Sequence, residues 1–198
     1  VNYLFVRIVR YGAGVLTILL LAGCGLSPKA EFYHLDLEWI PAADTGQGIV
    51  LGIEPITLAS YLDRPQIVTR AGQYQLQLSE FNRWSEPLQN SIIRVVKIGL
   101  GNFLHTHRIY PLPRKHKTTP LDYRISIDIL RFDGQPGGEV TLVAHWIVYG
   151  QNDRFLYSKM TVIHELTNKA DYRNLVAAQN RALQQLTQEI ALIIKHFS

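Results

Sequence analysis

In Tyr123-Arg124-Ile125-Ser126-Ile127-Asp128-Ile129-Leu130-Arg131-Phe132, the residues Tyr123, Ile125, Ile127 and Ile129 alternate with Arg124, Ser126, Asp128 and Leu130. A period of two is that of a strand with one face against a core. Downstream, a glycine-rich turn is expected over Asp133 to Gly138. Two long strands, Glu139 to Tyr149 and Phe155 to Glu165, follow around a turn at Gly150 to Arg154, so that a meander forms. Asp171 then caps a final helix running to about Phe197. Tyr172, Leu175, Val176, Ala182, Leu183, Leu186, Ile190, Ile193, Ile194 and Phe197 recur on one face of it. At 1.5 Å per residue that helix is roughly 40 Å long.

Upstream the pattern repeats in kind. Phe32 to Leu37 reads as a first strand with Tyr33, Leu35 and Leu37 inward, and Ile49 to Ile53 as a second, ended by Pro55. Ser60 to Pro65 is a turn or a single helical turn, with Pro65 restricting Arg64 to extended geometry. Gln66 to Arg70 and Gln73 to Leu78 form a hairpin about Ala71-Gly72. Ser85 caps a helix with Pro87 in its first turn. Leu88, Ile92, Val95, Val96, Gly99, Leu100 and Phe103 form its apolar face, and it ends near Leu104. Arg108 to Tyr110 is a short strand before a basic, proline-bounded loop, Pro111 to Pro120. Strands, helix, strands, helix predicts an α+β, two-layer domain over residues 31–198, with a largely antiparallel sheet and both long helices on one face.

The N-terminal residues differ in character. Residues 1–23 hold Arg7 and Arg10 and no acidic residue, followed by an apolar run from Tyr11 to Ala22. About 20 apolar residues are needed to cross a bilayer, so this run has the length of a secretory h-region instead. It ends in Leu21-Ala22-Gly23-Cys24, which resembles the lipobox of bacterial lipoproteins, and Cys24 is the only cysteine. The resemblance implies cleavage before Cys24, diacylglycerol on its sulfur and a further acyl chain on its amine. Two or three chains hold a protein firmly at a bilayer, each buried methylene adding about 0.8 kcal/mol. Residues 24–30 are then a lipidated tether, and Gly25 in place of Asp implies an outer-membrane address. Val1 is expected to be an initiator read from an alternative start codon, the one methionine being Met160.

Without Arg7 and Arg10 the formal net charge falls from +4 to +2, which argues against nucleic-acid binding by charge. A single cysteine excludes an internal disulfide and Cys-based metal sites. No phosphate loop, nucleophile elbow or H-E-x-x-H motif is present, and no carboxylates pair as acid and base, so no catalytic residue is assigned. His105 and His107 could offer two imidazoles to a metal but lack a third ligand nearby, and they fall just past a helix end, where cations suit the dipole. Arg114, Lys115 and Lys117 in the basic loop could meet an anionic membrane surface, or simply be solvated.

The densest stretch runs from Tyr61 to Trp84. Tyr61, Leu62, Pro65, Tyr74, Phe81 and Trp84 stand among Asp63, Arg64, Arg70, Glu80 and Arg83. Aromatics with arginine are what protein interfaces concentrate. Equally, Trp84 could cap the core beneath the first helix while Asp63 and Arg64 brace a loop. Tyr61-Leu62-Asp63-Arg64-Pro65-Gln66-Ile67-Val68-Thr69-Arg70, followed by Phe81, Arg83-Trp84 and Glu86-Pro87-Leu88, resembles the PqiC/YmbA group of ABC-type transport auxiliary lipoproteins. The lipobox and Phe32-Tyr33-His34-Leu35 share the resemblance. It implies a non-catalytic outer-membrane lipoprotein facing the periplasm, with no cofactor. It also implies partnership with MCE-domain proteins of a PqiB-like kind that carry lipids between membranes. Tyr61, Leu62, Asp63, Arg64, Pro65, Gln66, Arg83 and Trp84 are the expected partner contacts, and a homo-oligomeric ring matches a symmetric channel. A structural envelope lipoprotein without a transport role, or a metal-binding one using His105 and His107, are the alternatives.

Overall fold

A computed structural model describes residues 28–38, 40, 48–113 and 120–198. Cys24, and Arg114, Lys115 and Lys117 of the basic loop, lie outside the described residues. The elements are β1 (Glu31–Tyr33), β2 (Leu51–Ile53), β3 (Thr57–Leu58), β4 (Gln66–Arg70), β5 (Leu76–Trp84), α1 (Leu88–Leu104), β6 (Ile109–Pro111), β7 (Tyr123–Gly134), β8 (Glu139–Tyr149), β9 (Phe155–Leu166) and α2 (Tyr172–Phe197). Short 3-10 turns occupy Ser60–Leu62 and Gln151–Asp153.

β7 is the hub, as its alternation requires. One edge of β7 carries β8 and then β9 in long antiparallel ladders. Its other edge is shared in turn by β2 at Tyr123 to Ile125, β3 at Asp128 and Ile129, and β4 at Gly134, all parallel. β6 adds parallel to β2, β5 antiparallel to β4, and β1 parallel to β5. The sheet is therefore mixed. The long ladders are antiparallel as expected, and the parallel pairs are short segments docked onto β7.

Tyr123, Ile125, Ile127 and Ile129 are all buried, as predicted. Leu130 is the extra residue of a bulge opposite Val143 and Ala144. One inserted residue reverses the faces of everything after it. Phe132 thereby turns into the core and Asp133 to the other side. The predicted turn at Asp133 accordingly begins later, because Asp133 and Gly134 still pair with Thr141 and Val140 in β8.

Both helices share one apolar cluster with β7 and β8, including Ile92, Val95, Val96, Leu100, Leu183, Leu186, Ile190, Trp146 and Val148. The helices meet where a side chain on Gly99 would come within 2.6 Å of Thr187 Cγ2. α2 starts as its sequence says, with Asp171 Oδ1 accepting from the Asn174 N–H at 2.7 Å. α1 does not. Its N-cap is Pro87 with no side-chain cap, and the Ser85 N–H instead donates to Tyr33 O at 2.8 Å, tying β1 to the end of β5. β1 is shorter than the alternation suggests, yet Leu35 is still fully buried and Tyr33 and Leu37 pack against the core.

Candidate functional site

The Tyr61–Trp84 stretch folds back on β7 and divides into a buried brace, a polar turn and a projecting arm. The 3-10 turn is held by the Leu62 N–H to Ala59 O at 2.8 Å, and Ala59 itself donates to Ile129 O. This places Leu62 in the core at 2% exposure and swings Tyr61 over Asp133. Trp84 is 5% exposed, and its N–H donates to Pro65 O at 2.7 Å. Leu62 and Trp84 are thus core residues, and two of the eight expected partner contacts offer a partner almost no surface.

Asp133, fully buried, is the residue that sequence reasoning missed. Its carboxylate accepts from Arg70 through Nε at 2.8 Å and Nη2 at 2.9 Å, from the Tyr61 hydroxyl at 2.6 Å and from Arg131 Nε at 3.1 Å. Burial pushes the Asp133 carboxyl up, but the hydrogen bonds from Arg70 and Tyr61 and the charge of Arg131 outweigh it, holding the group below its ordinary value. Burial, and then the bond to Asp133, push the Tyr61 hydroxyl up, so it stays a donor. The bond to Asp133 raises Arg70 further. Two conspicuous residues of the stretch, Tyr61 and Arg70, therefore tie it to β7. The signal available in the sequence was an aspartate ending an apolar strand, just where an unexpected bulge reverses the faces.

Asp63, Arg64, Pro65, Gln66 and Arg83 remain at the surface. Arg83 donates through Nε to Glu80 O at 2.9 Å. Arg64 makes no ion pair with any described residue, and its Nε is shielded from water without an acceptor among them. Beyond this turn the β4–β5 hairpin leaves the body of the molecule. Residues 71–78 are all exposed, Tyr74 is 92% exposed, and Leu76, Leu78 and Phe81 are large exposed apolar residues on the same arm.

The remaining candidates do not converge. His105 is the left-handed C-cap of α1, its N–H donating to Gly101 O. Among the described residues no group of three His, Cys, Asp or Glu side chains comes together to hold a metal. The basic loop's flanks, Pro113 and Pro120, line a cleft with Glu54, Leu121, Arg124 and the Gly150–Asp153 turn, toward the start of β7. Arg124 at its floor is already paired with Glu54 and Asp153. Among the described residues no helix is long and apolar enough to cross a membrane.

The fold is similar to a crystal structure of an uncharacterized protein, with a TM-score of 0.70 at 17% identity over 84% of this chain and 99% of that one. It is similar also to a Xanthomonas campestris protein of the DUF330 family, with a TM-score of 0.63 at 21% identity over 82% of this chain and 93% of that one. No curated protein matches it by sequence. The family model for the ABC-type transport auxiliary lipoprotein component matches residues 37–191, from the segment beside β1 nearly to the end of α2, and the chain belongs to that family.

Proposed function

We propose that the chain is a non-catalytic, periplasm-facing outer-membrane lipoprotein of an MCE-type intermembrane lipid transport system. Acyl chains on Cys24 hold it at the membrane, and it docks a periplasmic MCE-domain protein. Family membership supports the lipoprotein and transport parts of this reading. Gly25 after the cysteine supports the outer-membrane address. The observation that carries the docking assignment is Arg64. Arg64 is half-exposed and makes no ion pair with a described residue, so its guanidinium is left for a partner carboxylate. Asp63, Pro65, Gln66 and Arg83 surround it with the polar rim of a small interface. Several copies in a ring would present this turn repeatedly to a symmetric channel.

The test is affinity purification of the full-length protein from detergent-solubilised membranes. An MCE-domain protein in the eluate, in a particle of several copies, is the expected result. Arg64→Glu is expected to release that partner, with circular dichroism and a cooperative melt showing that the half-buried site still folds. A lone monomer would instead favour a structural envelope lipoprotein, and an unchanged eluate from Arg64→Glu would remove the docking face. Cys24→Ser is expected to abolish the acyl mass and release the protein from the membrane fraction.

A further inference from the structure

We infer that the tip of the β4–β5 hairpin is a second membrane contact, a wedge that lies in the lipid surface beside the anchor and fixes the orientation of the domain. The inference rests on the lipid-anchor reading of Cys24 for its geometry, and on the arm itself for its chemistry.

The direction follows from strand register. β1 runs parallel to β5, with Glu31 opposite Asn82 and Tyr33 opposite Trp84. The chain entering β1 therefore comes from the side of Phe81 and Leu78, which is the side of the hairpin tip. β5 in turn runs antiparallel to β4, and β4 runs parallel to β7 and meets it only at its far end, Thr69 opposite Gly134. The tip thus extends past the end of β7, away from the Gln151–Asp153 turn, where Tyr149 stands opposite Arg124 near the start of β7. Six residues lie between Cys24 and Glu31, so seven chain steps give a reach of at most about 25 Å. The six steps along β5 from Asn82 back to Leu76 cover about 20 Å at strand rise. The anchor can therefore reach the level of the tip, since residues 28–30 enter β1 from the tip's side.

The chemistry of the arm fits a lipid interface. Tyr74, Leu76 and Leu78 fall at alternate positions and are exposed, and residues 65–79 contain Arg70 and no acidic residue. A tyrosine at the tip, with leucines behind it, is the composition found where one end of a segment is apolar and the other wet. A side chain added at Gly72 would meet nothing within 4 Å, so the tip stands clear of the rest of the molecule. The acyl chains on Cys24 hold the protein firmly but at one point only, and a second apolar insertion beside them fixes how the domain stands on the surface.

The experiment places an environment-sensitive fluorophore on Tyr74→Cys, and separately on Asn152→Cys at the opposite end of β7. Each full-length, acylated protein is reconstituted in vesicles of phosphatidylethanolamine and phosphatidylglycerol. Lipids carrying shallow spin-label quenchers are then titrated in. Quenching at position 74 several-fold stronger than at 152, with a blue shift, is the expected result. Equal quenching at both sites overturns the inference. So does an unquenched probe at 74 that shifts only when a protein partner is added, which would give the arm to that partner. Acyl mass on Cys24 is read in the same samples, so loss of the anchor reading and loss of the wedge are seen separately. In the acylated protein with the probe moved to Gln73→Cys, combined Tyr74→Ser, Leu76→Ser and Leu78→Ser, all at exposed positions, should lower the quenching several-fold. Unaltered quenching with native circular dichroism counts against the wedge.

Discussion

Asp133 concentrates more interaction than any other polar side chain described above. It is buried, and three donors from two separate segments converge on it. Removing one member of a buried ionic group leaves the others uncompensated at about 3–5 kcal/mol. Asp133→Asn should therefore lower unfolding stability by about 3 kcal/mol or more in urea titration. Tyr61→Phe, which deletes one hydroxyl, should cost about 1–2 kcal/mol. The pH dependence has a definite sign. Asp133 is held below its unfolded value, near 3.9, so its contribution is fully present above that value and disappears as pH falls through the lower folded value. Melting curves for the native protein should drop below about pH 4, and Asp133→Asn should flatten that drop. None of this was legible in the Tyr61–Arg70 stretch, although its residues were conspicuous. Their partner lies more than 60 residues downstream, and only the bulge at Leu130 turns it toward them. Leu62 and Trp84 show the same limit, because an apolar residue suited to an interface is equally suited to a core.

At the scale of the elements, periodicity carried much more. β7, β8, β9 and both helices were readable because each is long enough to repeat its pattern several times. Their inward faces follow the alternation and the three-four spacing, with Leu130 as the interruption. Among the short strands, β2 and β6 fall on the expected stretches at Ile49 to Ile53 and Arg108 to Tyr110, and β3 was not foreseen. Two or three residues hold no period, and pairing with β7 or with each other makes them strands. Ser85 failed as a cap because the helix begins later, at Leu88 with Pro87 at its N-cap, while the Ser85 backbone is taken up by pairing with β1, which local sequence does not reveal. The helix pair makes its own prediction. Gly99 lets α1 approach Thr187 of α2, so Gly99→Val must push the helices apart. The expected cost is about 1–3 kcal/mol, read as a lowered denaturant midpoint.

Across the whole molecule, the mixed sheet was not foreseen, because parallel docking of short segments leaves no mark on composition. The same sheet leaves β9, twelve residues long, paired on one side only among the described strands. It carries exposed Phe155, Met160 and Val162. Long apolar edges favour pairing with a second chain, and lysine on such an edge discourages it. Val162→Lys should therefore reduce concentration-dependent association in light scattering without lowering the melting temperature. That holds whether the associated form is a functional ring or an off-pathway aggregate, and the partner-binding assay tells the two apart.

β7 imposes an order of events on the living molecule. β2, β3 and β4 all wait for a strand that is synthesised some 55 to 75 residues after them. Until β7 emerges, the described strands have only the β4–β5 hairpin, β1 beside it and the three-residue β2–β6 pair to form. Contacts so distant in sequence are closed late in folding. A polypeptide threaded through a narrow membrane pore from its N-terminus must stay unfolded while it passes. Here the connectivity itself delays collapse, because the hub strand, and β8 and β9 after it, come late in the chain. A chain ended at residue 122 should accordingly show no cooperative thermal transition by circular dichroism.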